Sequence, residues 1–372
     1  MIHLLTVIGA RPQIIKAAAI SRAVREHFSG AVCEKILHTG QHYDANMSQV
    51  FFDQLGIPSA DYNLAVGSGP HGLQTARITE GIERVLKEGH FDGVILYGDT
   101  NSTLAGAIAA SKLLVPVFHV EAGLRSFNMT MPEEINRIVC DHLSSILFAP
   151  TRTAIDNLRF EGLVGSSARF ADGKTRVVLN SGDVMFDNTL YFGELAEKQS
   201  QILGTCSLQS GEYVLATVHR NFNTDNPERI GTIFRALSHL ADQEGVPVVL
   251  PLHPRTRKYL PMGISKRIRI IPPASFFDIL QLEKNARVVM TDSGGVQKES
   301  FFFGRPCVIL RPETEWVEIV NHGAGILADA DFDRIVEAYR TLSGKSVTFP
   351  RLFGDGHAAE TILSTIVRYL KS

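Results

Sequence analysis

Carboxylates stand at three points in a short span of the chain where an apolar run gives way to a turn or a helix begins. Asp99 closes Tyr97-Gly98-Asp99 and is followed by the capping residues Thr100, Asn101, Ser102 and Thr103. Glu121 follows His119-Val120 and precedes Ala122-Gly123-Leu124-Arg125, and Glu133 opens the helical stretch Met131-Pro132-Glu133-Glu134-Ile135-Asn136-Arg137. Crowded acids do not share one pKa. One is pushed up and holds a proton while another stays ionised, the division that general acid and general base chemistry requires. Each has a purely structural reading as well: Asp99 as a helix N-cap, Glu133 as the i,i+4 partner of Arg137, Glu121 as a buried partner of Arg125. Recurrence at one sheet edge favours a site.

Cations and open turns recur at other strand ends. Gly9-Ala10-Arg11-Pro12-Gln13-Ile14-Ile15-Lys16 puts a proline in the first turn of a helix, whose free N–H groups favour an anion, with Arg11 and Lys16 beside it. A solvated helix start with two surface cations is the equal alternative. In the second half, Thr217-Val218-His219-Arg220 ends a strand, and Thr291-Asp292-Ser293-Gly294-Gly295-Val296-Gln297-Lys298-Glu299 runs from strand into helix. Ser293, Gly294 and Gly295 let backbone N–H groups approach phosphate oxygens, and Glu299, about a turn further on, can accept from two ribose hydroxyls. Joined to His219, Arg220 and the cations of the first half, the turn describes a nucleotide diphosphate site.

Parallel strands must present these residues. Strand-like runs fall at 3–8, 32–37, 94–97, 115–120 and 146–149, each followed by a turn and a helical stretch, and the pattern restarts at 177–179, 213–217, 246–250, 268–271, 288–291 and 307–310. That count predicts an α/β chain of two doubly wound Rossmann-like domains facing a cleft, with ligands at the carboxyl ends of the strands. Gly162 to Lys174, rich in Gly, Ser, Ala and Asp, reads as the linker. The expected domains are 1–170 plus 356–372, bearing the carboxylates, and 171–355, bearing the phosphate turn. Ile362, Leu363, Ile366, Val367 and Leu370 make one stripe of a final helix that must dock somewhere.

With 372 residues the chain is long enough for two cores, and 37 basic against 39 acidic residues leave a net charge of −2, with no bulk attraction to nucleic acid or an anionic membrane. Four scattered cysteines form no C-x-x-C, and no apolar segment is long enough to span a bilayer, so a cytoplasmic protein with no membrane partner is expected. Three tempting motifs are set aside. Gly67-Ser68-Gly69-Pro70-His71-Gly72 satisfies G-x-G-x-x-G, but Pro70 removes a donor and a loop is the better reading. His38 and His42 have helical spacing broken by Gly40 and lack a carboxylate, so no metal site is expected. Phe301, Phe302 and Phe303 read as core.

Taken together, Gly9-Ala10-Arg11-Pro12 with Lys16, Gly98-Asp99-Thr100, His119-Val120-Glu121-Ala122-Gly123-Leu124-Arg125, Pro132-Glu133-Glu134 with Asn136-Arg137, His219-Arg220, and Asp292-Ser293-Gly294-Gly295 with Gln297 and Glu299 resemble the non-hydrolysing UDP-N-acetylglucosamine 2-epimerase family, in order, over nearly the whole chain. The resemblance implies a GT-B type fold with the last helix crossing back to the first domain, a homodimer, a UDP-sugar and UDP as ligands, and no nicotinamide or metal cofactor. It also implies the chemistry: a base takes the C2 proton while UDP leaves C1, and re-addition to the glycal with a proton on the other face inverts C2. Asp99, Glu121 and Glu133 become the acid/base candidates and His219 the partner of the leaving phosphate. Arg11, Lys16, Arg125, Arg137, Arg220, Ser293, Gly294, Gly295 and Glu299 become substrate and UDP contacts.

Departures from the family pattern point to a branch. Where the UDP-N-acetylglucosamine enzymes commonly carry threonine-glutamate-arginine-proline, this chain has Thr314-Glu315-Trp316-Val317-Glu318, and a glutamine of their allosteric site appears as His71. His38 to His42, Asp44 to Ser48, Ser126-Phe127-Asn128, Leu252 to Arg257 and Gln297-Lys298-Glu299 look more like the branch acting on UDP-2,3-diacetamido-2,3-dideoxy-glucuronate, which serves surface polysaccharide synthesis. The extra carboxylate of that sugar calls for a cation, for which Arg125, Arg255 and Arg257 are candidates. UDP-N-acetylglucosamine is the alternative substrate, and a GT-B glycosyltransferase the alternative class.

Overall fold

The computed structural model describes residues 1–41, 56–252 and 254–372; His42, the Asp44 to Ser48 segment and His253 lie outside them. Two compact units emerge, Met1–Asn188 with Arg351–Ser372, and Thr189–Pro350.

The first unit is built on a seven-stranded sheet in the order β3-β2-β1-β4-β5-β6-β7. Its strands are β1 (Ile2–Ile8), β2 (Val32–His38), β3 (Tyr62–Asn63), β4 (Gly93–Tyr97), β5 (Val117–Val120), β6 (Ile146–Ala149) and β7 (Val177–Asn180), paired parallel throughout. Every residue of β4, β5 and β6 is buried, which explains why these strands read as unbroken apolar runs: helices cover both faces. Leu5, Val7, Val94 and Leu96 meet Ile78, Ile82, Ala105 and Ala109 in one core.

The second unit carries a six-stranded parallel sheet, β10-β9-β8-β11-β12-β13. It consists of β8 (Val214–Thr217), β9 (Val248–Pro251), β10 (Ile268–Ile271), β11 (Val288–Thr291), β12 (Cys307–Ile309) and β13 (Gly325–Leu327). Side-chain caps start its helices where the sequence offers them, Asn226 to the amides of Glu228 and Arg229, Ser275 to Asp278 and Asp331 to Arg334.

One expectation is corrected. The run at 177–179 was expected to open the second sheet; instead β7 adds to the edge of the first, with Ile146 opposite Val177 and Phe148 opposite Leu179. The Gly/Ser-rich stretch before it is therefore a crossover inside the first unit. The division between units falls after Asn188, within the helix Val184–Gln199, and a boundary inside a helix leaves no loop composition to read.

The final helix, Ala358–Lys371, belongs to the first unit and packs on the helix Arg11–Ala23. Ile362, Leu363 and Ile366 of the expected stripe are buried, each contributing roughly 1.5–3 kcal/mol. Its N-terminus takes its cap from a distance: Asp187 accepts from the amides of Ala358 at 3.1 Å and Ala359 at 2.8 Å.

Candidate active site

In the first unit the turns after β1 and β4 are tied together by a side chain the sequence reading passed over. Gln13, buried, accepts from the amides of Gly9 at 2.8 Å and Ala10 at 3.2 Å, and donates to the Tyr97 carbonyl at 2.9 Å and Thr103 Oγ1 at 3.0 Å. An added Cβ on Gly9 would collide with Thr39 and Ser102, so the first turn admits only glycine.

Asp99 and Glu121 are brought into one electrostatic group. Glu121 adopts the left-handed conformation, φ 73°, and pairs with Lys16. Gly98 is the floor of that pair, since a Cβ there would lie 3.1 Å from Lys16 Nζ and 3.8 Å from Glu121 Oε2. Asp99 bonds Arg137 through Nη2 at 2.7 Å and Nε at 3.0 Å. Burial pushes the Asp99 carboxyl up from its ordinary value, against the attraction of Arg137 and Lys16, and the Glu121 charge adds to the rise. Two carboxylates, each beside a cation, thus stand at one strand edge.

The structural roles are distributed differently from the simple readings. Thr100, not Asp99, caps the helix Asn101–Lys112. Arg137 pairs with Glu134, three residues before it, at 2.5 Å, in addition to Asp99. Glu134 also accepts from the amides of Ser126 and Phe127, and these bonds with Arg137 outweigh burial and hold its carboxyl low. Glu133 is exposed on the first turn of the helix Pro132–Leu143. Asn136 donates to the Asp99 carbonyl at 2.9 Å, fixing the Asp99 backbone.

Arg125 departs most from expectation. Counted among the substrate contacts and as a candidate cation for a sugar carboxylate, it is instead a buried structural residue with a side chain 1% exposed. Nε and Nη2 grip Glu161 at 2.6 and 2.7 Å, Nη2 also meets Asp141 at 2.8 Å, and Nη1 donates to the Leu124 carbonyl at 2.7 Å. Four of its five N–H groups are so engaged, and the side chain lies out of solvent. The side chain of Arg255 is not described, and Arg257 is exposed.

In the second unit Asp292, fully buried, gathers the turn after β8. It accepts from the amides of His219 at 3.1 Å and Arg220 at 3.0 Å and from Asn223 Nδ2 at 3.1 Å, and its Oδ1 lies 3.4 Å from His219 Nδ1. A carboxylate on Nδ1 favours a proton there, so the neutral His219 ring keeps Nε2 as an acceptor and only the imidazolium offers it as a donor. Ser293 caps the helix Gly294–Phe302 through the Val296 amide, so Ser293, Gly294 and Gly295 form its N-terminus, with Glu299 half-buried a turn on.

Residues from a later loop line that N-terminus. A Cβ at Gly294 would sit 3.5 Å from Trp316 Nε1, 3.7 Å from Glu315 Oε2 and 3.9 Å from Arg311 Nη1. Arg311 and Glu315 are paired at 2.9 and 3.0 Å, and Lys298 Nζ stands 4.0 Å over the Trp316 ring. The unusual Thr314–Glu318 segment thus lies at the Ser293–Gly295 turn. Its departure from the family pattern was the available signal.

The set-aside motifs resolve structurally. Residues 67–70 are loop and His71 starts the helix His71–Glu88. His38 Nδ1 accepts from the Gly40 amide at 3.0 Å. Phe301 is buried and stacks edge-on against Phe349. Among the described residues, no group of three or more His, Cys, Asp or Glu is placed to hold a metal, and no helix is long and apolar enough to cross a membrane.

Comparison with known proteins gives a consistent result. The family model described as UDP-N-acetylglucosamine 2-epimerase matches residues 26–367. A UDP-2,3-diacetamido-2,3-dideoxy-D-glucuronate 2-epimerase of Pseudomonas aeruginosa is 49% identical over 367 residues, covering 98% of this chain and 99% of its own. A UDP-N-acetylglucosamine 2-epimerase of Methanocaldococcus jannaschii is 40% identical over 366 residues, 96% of each chain. The crystal structure of a Methanocaldococcus jannaschii UDP-GlcNAc 2-epimerase in complex with UDP-GlcNAc and UDP matches with a TM-score of 0.85 at 38% identity, covering 99% of this chain and 100% of that one.

Proposed function

We infer that this chain, which belongs to the UDP-N-acetylglucosamine 2-epimerase family, inverts C2 of a UDP-2-acetamido sugar, with UDP-2,3-diacetamido-2,3-dideoxy-glucuronate as its substrate. The observation that carries the chemistry is the neighbouring group of Asp99 and Glu121 at one sheet edge, each carboxylate held by its own cation. The substrate reading is supported by the identity with the Pseudomonas relative, by the departure at Trp316 and by the branch-like Gln297-Lys298-Glu299 segment beneath it.

The reaction balances without an outside reagent. One carboxylate takes the C2 proton; the C–H electrons form the C1–C2 double bond as the C1–O bond breaks, and that bond's electron pair leaves on the β-phosphate of UDP. In the return step a second acid delivers a proton to the opposite face of C2 while UDP oxygen rebuilds the bond to C1. An unactivated C2 proton makes elimination the costly step, so the leaving diphosphate needs cations and N–H donors. His219, Arg220 and the Ser293–Gly295 helix start supply them in the second unit, with Glu299 for the ribose. Arg11 and Lys16 are the cations of the first unit, where Asp99, Glu121 and the exposed Glu133 serve as acid/base groups. Arg137 acts through Asp99. A homodimer working in the cytoplasm, in surface polysaccharide synthesis, completes the reading.

Deuterium incorporation tests it. In D2O, deuterium is expected at C2 of UDP-2,3-diacetamido-2,3-dideoxy-glucuronate, faster than at C2 of UDP-N-acetylglucosamine. The reverse order would move the chain to the other branch. No exchange with either sugar would remove the epimerase reading.

A further inference from the structure

His119 is a fully buried histidine with an acceptor at each ring nitrogen. Nε2 faces the Gly98 carbonyl oxygen at 2.8 Å, and Nδ1 faces Asp141 Oδ1 at 2.7 Å. A carbonyl oxygen can only accept, so Nε2 carries a proton. On the other side, Asp141 is held as a carboxylate: its Oδ2 receives the Gly123 amide at 3.1 Å and lies 2.8 Å from Arg125 Nη2. Nδ1 therefore donates too. A ring that donates from both nitrogens is an imidazolium, here in a fully buried site.

We propose that His119 is a permanently charged positioning residue, an imidazolium that holds the Gly98–Asp99 turn and so sets the Asp99 and Glu121 carboxylates in register. This deepens the proposed epimerase reaction and rests on it. The geometry explains what the charge accomplishes. Gly98 is left-handed, φ 62°, its amide donates to the Val120 carbonyl at 3.1 Å, and its own carbonyl points at His119. Its open face carries the Lys16–Glu121 pair, and the residue after it is Asp99. His119 lies two residues before Glu121 on β5, so one ring joins the ends of β4 and β5 from below.

The surroundings are balanced for such a charge. His119 and Arg125 are positive, Asp141 and Glu161 negative, and Cys140 completes the buried neighbourhood. Burial works against the ring's ionisation, but the contacts with Cys140 and Asp141 outweigh it, in the same direction as the hydrogen-bond argument. The role also accounts for Arg125, whose engagement with Asp141 and Glu161 anchors the far side of the network.

Nitrogen-15 NMR of histidine-labelled protein tests the charge directly. One ring is expected to keep protons on both nitrogens at about pH 8.5, roughly two units above the ordinary imidazole value, and its signals should vanish in His119→Gln. A wild-type spectrum with every ring singly protonated at that pH would overturn the proposal, and this reading needs no variant to fold. For function, His119→Gln is expected to lower kcat for C2 deuterium exchange about 100-fold, as a small displacement of reacting groups does. Its affinity for UDP, whose ribose and helix-terminus contacts are assigned to the second unit, should stay within about twofold, less than half a kcal/mol. Wild-type kcat in folded His119→Gln would contradict the positioning role. A wild-type protein with a doubly protonated ring but no exchange on any UDP-2-acetamido sugar would instead sink the proposed reaction alone.

Discussion

Arg137 reaches Asp99 through two donors, Nη2 at 2.7 Å and Nε at 3.0 Å, and both land on the same oxygen, Oδ2. Oδ1 takes no part in the pair. The arrangement anchors the carboxylate through one oxygen, and Arg137 is itself fixed by Glu134.

Removing that anchor should move a pH profile. Burial raises the Asp99 carboxyl and Arg137 opposes the rise, so Arg137→Met lifts it further. Whichever limb of the kcat profile Asp99 governs, as base on the acid side or as acid on the alkaline side, is expected to move to higher pH, about one unit for each 1.4 kcal/mol of lost attraction. Unmoved limbs would separate Asp99 from proton transfer.

Glu283 offers a stability test outside the site. It is fully buried, neither carboxyl oxygen has a hydrogen-bond partner among the described residues, and burial with the nearby Glu299 charge raises its pKa well above the ordinary value. A group that binds its proton more tightly folded than unfolded adds stability at low pH and loses it as pH rises. Glu283→Gln should therefore change the Tm little near pH 5, roughly the unfolded carboxyl's range, and raise it increasingly toward about pH 8. Thermal melts across that interval would show it; a gain largest at acid pH would refute the assignment.

Gly294→Ala separates folding from nucleotide binding. The added Cβ meets Trp316, Glu315 and Arg311 only at ordinary contact distances, and alanine is favoured over glycine in a helix by roughly 0.5–1 kcal/mol. The melt is expected to hold or rise while UDP affinity, measured by calorimetry, falls about tenfold, or 1.4 kcal/mol, because the methyl group stands where phosphate oxygens approach the N–H groups. Unchanged affinity would take the phosphate away from this turn.

The final helix depends on a distant cap. Asp187→Ala leaves the amides of Ala358 and Ala359 without their acceptor and should cost about 0.5–2 kcal/mol, read by denaturant titration. A neutral result would mean that Ile362, Leu363 and Ile366 alone hold the helix in place.

Much of this was legible from residue order because parallel strands buried on both faces leave long apolar runs, and the polar residues just after them fall at one sheet edge. β3, two residues long, and β13, three residues beginning with a glycine, are too short to show a period. β7 looked like a new beginning because a Gly/Ser-rich crossover precedes it, whereas only the pairing with β6 decides its sheet. Within the site, Asp99, Glu121 and the His219–Asp292 turn were readable as polar strand ends. Arg125 was misjudged because its partners Asp141 and Glu161 stand 16 and 36 positions away, on other elements. Gln13 and His119 were likewise invisible as connectors, since hydrogen bonds that join separate turns have no signature in local spacing.

The central claim is that UDP leaves and returns during inversion, and positional isotope exchange tests it most directly. A UDP-2,3-diacetamido-2,3-dideoxy-glucuronate labelled with oxygen-18 in the bridge between C1 and the β-phosphorus should, with this protein, scramble the label into the non-bridging β-oxygens while deuterium from D2O enters C2. Epimerisation with the label retained wholly in the bridge would contradict elimination and re-addition.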